Sequence, residues 1–161
     1  MLLSELIQED LIKLRLEATN KWDAIEELVD LLISAHELRL TNRVEVVDSL
    51  FARERSLSTG LEHGLAVPHG AVDCAGDILA AVGLSQKGIP FDSLDGQPAR
   101  LIVLLVIPRG AAQRHVKTLA GIARLASSPE MRAKILGAET ATDILEAIYL
   151  LEEREEGFKE S

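Results

Sequence analysis

Aromatic side chains are nearly missing from this chain: one Trp, one Tyr and three Phe in 161 residues, 3% of the total. So few rings leave no platform for stacking bases or sugars, and the interior has to be built from Leu, Ile, Val and Ala. Positive charge is also in deficit. Lys and Arg number 17 against 26 Asp and Glu, a formal charge of -9, which argues against nucleic acid or an anionic membrane as partner, since phosphate backbones are bound through excess Lys and Arg. The single cysteine, Cys74, excludes an internal disulfide and fits a reducing compartment. No basic segment followed by an apolar one opens the chain, and the longest strongly apolar run, LIVLLVI at 101–107, is far too short to cross a bilayer. A cytoplasmic protein without membrane insertion is expected. No G-x-G-x-x-G or Walker-type loop cradles a nucleotide phosphate, and no G-x-S-x-G elbow announces a serine hydrolase.

What is present is a good core former: 47% hydrophobic and 27% charged residues suit one globular domain over 1–161. In LIKLRLEA, Ile12, Leu14 and Leu16 alternate with charges, the period of a half-buried strand. Behind an Asn20 cap and Asp23, the residues Trp22, Ile25, Leu28, Val29 and Leu32 recur at helical spacing. A second helix is expected from the Thr41/Asn42 cap, with Val44, Val47, Leu50 and Phe51 on one face and Arg53 and Glu54 near its end. After a break at Gly60, GLAVPHG, DILAAVGLS and ARLIVLLVIP read as three strands, the last so continuously apolar that it belongs at a sheet centre covered on both faces. Three helices follow: one over AAQRHVKTLAGIARLAS, one behind Ser128 with Pro129 in its first turn, and one behind Thr142. The tail from about 155 to 161 is expected to fray. The order β-α-α-β-β-β-α-α-α predicts an α/β (α+β) fold, a three-layer α/β/α sandwich with a mixed sheet.

Four histidines are available: His36, His63, His69 and His115. His36 falls at a helix C-terminus, where an imidazolium complements the dipole, and needs no further role. His69 sits in a stiff Pro-His-Gly corner at the end of a strand; Pro68 biases Val67 towards extended geometry and Gly70 is free to take conformations other residues avoid. An imidazole held there, partly neutral near pH 7, suits nucleophilic attack on phosphorus. His115 heads a helical stripe continued by Leu119, Ile122 and Ala126, so it faces inward or sideways. Arg53 offers a planar fork matched to phosphoryl oxygens, and Ser58 and Thr59 offer hydroxyl donors or merely shape the turn. His63, His69 and Cys74 form an H-x5-H-x4-C string, but that spacing is no familiar zinc pattern and no fourth ligand is evident.

Taken together, RERSLSTGLEHGLAVPHG at 53–70, IPFDSLDGQPARLIVLLVIP at 89–108 and RHVKTLAGIARL at 114–125 resemble the enzyme IIA domains of the bacterial phosphotransferase system, of the fructose/mannitol type that includes the nitrogen-regulatory form. The resemblance implies that His69 accepts a phosphoryl group from HPr or a paralogue and that His115 lies beside it as a hydrogen-bond donor. It also implies that Arg53 and Glu54 shape and charge the site and that a IIB component or a regulatory target protein is the next partner. No metal or cofactor is implied. The chain departs from the family pattern at Glu62 and His63, where small and amide residues are usual, and an added carboxylate near a phosphohistidine would repel it. Three uses stay open: sugar transport, phosphorylation-dependent regulation, and a binding module of the same shape that has lost phosphotransfer.

Overall fold

The computed structural model describes residues 2–160, apart from the side chains of residues 112, 114 and 158–160. Five strands form an open mixed sheet in the order β1-β4-β5-β2, with β3 also on β5. They are β1 (Ile12–Lys13), β2 (Leu65–Ala66), β3 (His69–Val72), β4 (Leu79–Ile89) and β5 (Ala99–Pro108). β4 and β5 are antiparallel, whereas β1 runs parallel to β4 and both β2 and β3 run parallel to β5. The apolar run of β5 is therefore central, as its pattern requires, and it divides its side chains by the two-residue period. Leu101, Val103, Leu105 and Ile107 pack with Ile122, Leu125, Met131, Ile135 and Ile144 on one face. Ile102, Leu104 and Val106 pack with Ile25, Leu28, Val46 and Leu50 on the other.

The second of these faces is covered by α2 (Lys21–Ser34) and α3 (Arg43–Ser56), the first by α4 (Val116–Ser127), α5 (Pro129–Leu136) and α6 (Ala141–Glu160), with the short α1 (Leu3–Leu6) beside them. The result is the α/β/α sandwich. Asn20 caps α2, its side chain accepting from the Asp23 N–H at 2.9 Å. Ser128 caps α5, with Pro129 in the first turn, by accepting from Met131. At the other end of α2, His36 adopts φ +62°. The His36 and Glu37 N–H groups donate to the Ile33 and Leu32 carbonyls at 3.0 Å. That is a Schellman closure with histidine in glycine's usual place, which gives His36 a structural task. Trp22 of α2 and Phe51 of α3 meet edge to face at 5.1 Å.

Several expectations are corrected. β1 is regular for only two residues; beyond it the Leu16 N–H still bonds the Leu84 carbonyl at 2.9 Å, and the Leu16 side chain folds over Gly83, where a Cβ would meet Leu16 Cδ1 at 2.7 Å. Asn42 makes no side-chain cap, and a 3-10 turn over Leu40–Asn42 leads into α3; Val44, in the first turn of α3, is 69% exposed, while Val46, Val47, Leu50 and Glu54 are buried. α4 is preceded by a 3-10 turn at Ala112–His115. The cap of α6 is Thr140 rather than Thr142: Thr140 Oγ1 accepts from the Asp143 N–H, and the Asp143 carboxylate accepts from the Glu139 and Thr140 N–H groups. α6 runs to Glu160, with a two-pronged Arg154–Glu130 pair at 2.8 and 2.9 Å and an Arg124–Glu155 pair; Ser161 lies outside the described residues. No helix among the described residues is long and apolar enough to cross a membrane.

Candidate functional site

His69 opens a strand rather than ending one. β2 and β3 lie in one line along β5, with Leu65 opposite Leu101 and His69 opposite Leu105. The Pro-His corner interrupts the strand without slipping its register. The Pro68 carbonyl accepts from Leu105 at 2.9 Å, and the Val67 N–H donates to the Thr59 carbonyl at 3.1 Å, so the corner is fixed from both sides. Because the register is unbroken, His69 projects from the same sheet face as Leu65 and Val67, which pack in the cluster formed by α4.

The imidazole is oriented by its own backbone: Nδ1 lies 2.8 Å from the Val67 carbonyl oxygen. A carbonyl only accepts, so Nδ1 carries the proton, and in the neutral ring the lone pair falls on Nε2. The ring is half-buried.

Gly70 is required for a different reason than conformational freedom. It is not among the glycines with positive φ. Instead, α3 presses onto it, and a Cβ would lie 2.6 Å from Ser49 Oγ and 3.1 Å from the backbone at Ser49 and Leu50. Ser49 Oγ also donates to the Ala71 carbonyl at 2.7 Å. This contact sets α3 against the sheet edge and thereby carries Arg53 to the site. Arg53 is half-buried, with one Nη donating to the Leu57 carbonyl at the end of its helix.

Together Asp48, Ser49 and Arg53 of α3, His69, Ile107 and Arg109 line an open depression of about 630 Å³. Arg53 and His69 thus meet there, as expected. His115 does not line this depression; it is 9% exposed where the 3-10 turn passes into α4, the helix covering the face from which His69 projects.

Glu54, Ser58 and Thr59 form a supporting network. Glu54, 2% exposed, accepts from the Thr59 N–H at 3.1 Å and from Thr59 Oγ1 at 2.5 Å. It also accepts from Lys21 Nζ of α2 at 3.2 Å. Burial alone would lower the Lys21 pKa, but hydrogen bonds to Asp92 and Glu54 outweigh it and hold the ammonium above its ordinary value. Ser58 Oγ donates to the Phe91 carbonyl and accepts from the Gly60 N–H. These residues fasten the Ser-Thr-Gly turn to α2 and α3, and the Thr59 carbonyl of that turn holds Val67. Motif reading missed Lys21 and Arg109, as well as the carboxylates Glu45 and Asp48 on the depression. Lys21 sits in the first turn of α2, remote in sequence from everything it supports. Arg109 sits one residue past β5, and only the β3–β5 pairing reveals its relation to His69.

Glu62 and His63 belong to a tight turn. His63 and Gly64 both take left-handed backbones, φ +61° and +73°, and the Leu65 N–H returns to the Glu62 carbonyl at 3.3 Å, a type I′ geometry in which His substitutes for Asn. The turn lies beyond Leu65, itself four extended residues from His69, roughly 13 Å at ~3.3 Å per residue. Neither side chain lines the depression. The expected repulsion between Glu62 and the acceptor is therefore set aside. The separation also disperses the His63, His69, Cys74 string.

Residues 5–150 match the family described as phosphoenolpyruvate-dependent sugar phosphotransferase system, EIIA 2. Among curated relatives, the fructose-specific EIIABC component of Bacillus subtilis is 32% identical over 92% of this chain, which spans only 23% of that longer protein. A nitrogen regulatory protein of Bradyrhizobium diazoefficiens is 32% identical over 93% of this chain and 96% of its own length. Among solved structures, nitrogen regulatory protein IIA-Ntr from Neisseria meningitidis superimposes with a TM-score of 0.82 at 29% identity, covering 91% of this chain and 98% of that one.

Proposed function

Since this chain belongs to the EIIA 2 family of the phosphoenolpyruvate-dependent sugar phosphotransferase system, we propose that it is a cytoplasmic phosphohistidine carrier. It receives a phosphoryl group on His69 from an HPr-like phosphocarrier and passes it to a IIB component. The observation that carries this reading is the Nδ1 contact to the Val67 carbonyl, because it leaves Nε2 as the one nucleophilic nitrogen of a ring half-open to the solvent. In the transfer, the Nε2 lone pair forms the new P–N bond while the donor's P–N bond breaks and its electron pair returns to the donor nitrogen. The His69 proton stays on Nδ1 throughout. Such displacement demands positioning and charge stabilisation more than covalent help. Arg53 supplies a permanent cation. His115, leading the helix that covers the His69 face, is the donor we assign to a phosphoryl oxygen.

A regulatory use is the second reading, favoured by the nitrogen regulatory relative that matches along almost its whole length. There the phosphoryl group would switch the binding of a target protein by placing close to two negative charges on the His69 depression. The third option, a module without phosphotransfer, loses its support once Glu62 and His63 are placed in a distant turn.

Incubation with phosphoenolpyruvate, enzyme I and HPr, followed by intact mass, tests the proposal. One phosphoryl adduct is expected. His69→Ala should abolish it, His115→Ala should slow its transfer, and His36→Ala should change neither. An adduct that persists in His69→Ala refutes the assignment. A partner captured only in one phosphorylation state, without a sugar component, selects the regulatory use.

A further inference from the structure

The depression around His69 holds a second guanidinium. Arg109 follows β5 directly, and its N–H donates to the Val72 carbonyl at 2.8 Å, extending the β3–β5 ladder one rung past the Val72–Pro108 pair. By the two-residue alternation, His69, Ala71 and Asp73 on one strand and Ile107 and Arg109 on the next share one sheet face. Arg109 lines the same depression as Arg53 and His69, and the apolar Ile107 lines it too.

Arg109 is loosely held. Its Nε donates to Asp73 Oδ1 at 2.9 Å, and the two side chains are 64% and 73% exposed. Ion pairs that open are weak, because water screens them. Both Nη groups are without hydrogen bonds among the described residues. The depression also needs a second cation. Glu45 and Asp48 line it as well as Arg53, so without Arg109 an arriving phosphoryl group would face two carboxylates and one guanidinium. The corner contributes none, since the residue after Gly70 is Ala71. A planar fork with free Nη donors binds phosphoryl oxygens more strongly than a single contact to an exposed carboxylate.

Resting on the reading of His69 as phosphoryl acceptor, we infer that Arg109 is a second phosphoryl-binding residue of this site, released by Asp73 and taken up by the phosphoryl oxygens once His69 is loaded. No covalent bond changes in this exchange; one ion pair replaces another.

Potassium phosphoramidate loads histidine without a carrier protein, so the test does not depend on donor recognition. The ³¹P resonance of phospho-His69, identified by its loss in His69→Ala, is followed from pH 5 to 9. With the guanidinium swung from Asp73 to ~5 Å from the phosphoryl group, removing its unit charge in a water-like dielectric should raise the apparent pKa of that group by on the order of 0.5 unit. Arg109→Gln should show that rise and Arg109→Lys a smaller one. Asp73→Asn should lower the value, and most of that effect should vanish in the Arg109→Gln background. An unchanged titration in Arg109→Gln overturns the assignment. So does slower transfer from phospho-HPr with an unchanged titration, which would place Arg109 in partner docking. Failure of the parent protein to accept from phospho-HPr would overturn the carrier reading while the titration stays readable. A His69 that neither phosphoramidate nor carrier loads overturns both.

Discussion

Replacing Gly70 by Ala is the most informative single perturbation, because two physical effects predict opposite signs. Adding a Cβ at an accommodating glycine stiffens the unfolded chain and stabilises a protein by about 0.4–1 kcal/mol. At Gly70 the backbone raises no objection, since its φ is not positive. The new methyl would nevertheless lie 2.6 Å from Ser49 Oγ and 3.1 Å from the α3 backbone. The hydroxyl can rotate away, but the backbone contacts require α3 to shift, and overpacking of this kind costs about 1–3 kcal/mol. For a chain of this size each kcal/mol moves Tm by roughly 2–4 °C, so a fall of roughly 2–12 °C is expected by calorimetry. Loading from phospho-HPr should also slow, since Arg53 rides on the displaced helix. Adding Ser49→Gly should recover only part of the loss, because it removes the hydroxyl contact but also the Ser49 bond to the Ala71 carbonyl. A Gly70→Ala protein as stable as its parent, or more so, and loaded at the parental rate would refute the idea that helix contact dictates this glycine.

Glu54→Gln keeps the shape of the buried hub but removes the charge that Lys21 and the Thr59 N–H share. A loss of about 1.5–3 kcal/mol, read as a lower urea midpoint, is expected, and an unchanged midpoint would deny Glu54 its fastening role. Burial, reinforced by the Glu45 carboxylate, pushes the Cys74 thiol up to about 11 from 9.0. Its alkylation by iodoacetamide at pH 8 should thus run roughly 100-fold below that of an ordinary thiol and rise about tenfold per pH unit until that range. Labelling at the ordinary rate would contradict this, and Glu45→Gln should accelerate it.

What could be read from the sequence was whatever depends on short-range pattern. The α2 stripe, the Asn20 and Ser128 caps and the apolar run of β5 each declare themselves within one or two turns or a single strand, and the sandwich follows from their order. Contacts between distant segments were illegible. Nothing local says that Gly70 touches α3, that Glu54 reaches Lys21, or that Arg109 stands on the His69 face; the first and last depend on which strand lies beside β5, the second on how α2 packs against α3. Val44 misled for a related reason: it shares a helical stripe with Val47 and Phe51, but in the first turn of α3 it is left exposed. His69 and Arg53 could be singled out as candidates from the Pro-His-Gly corner and the helix end, whereas the proton on Nδ1 could be assigned only from the Val67 carbonyl that the corner turns towards it.

The sheet works as a bulkhead. Arg53 hangs from the compartment behind it and His115 from the compartment in front, while His69 stands on the rim that both share. Loosening one compartment by mutation should therefore unseat one of these side chains and spare the other.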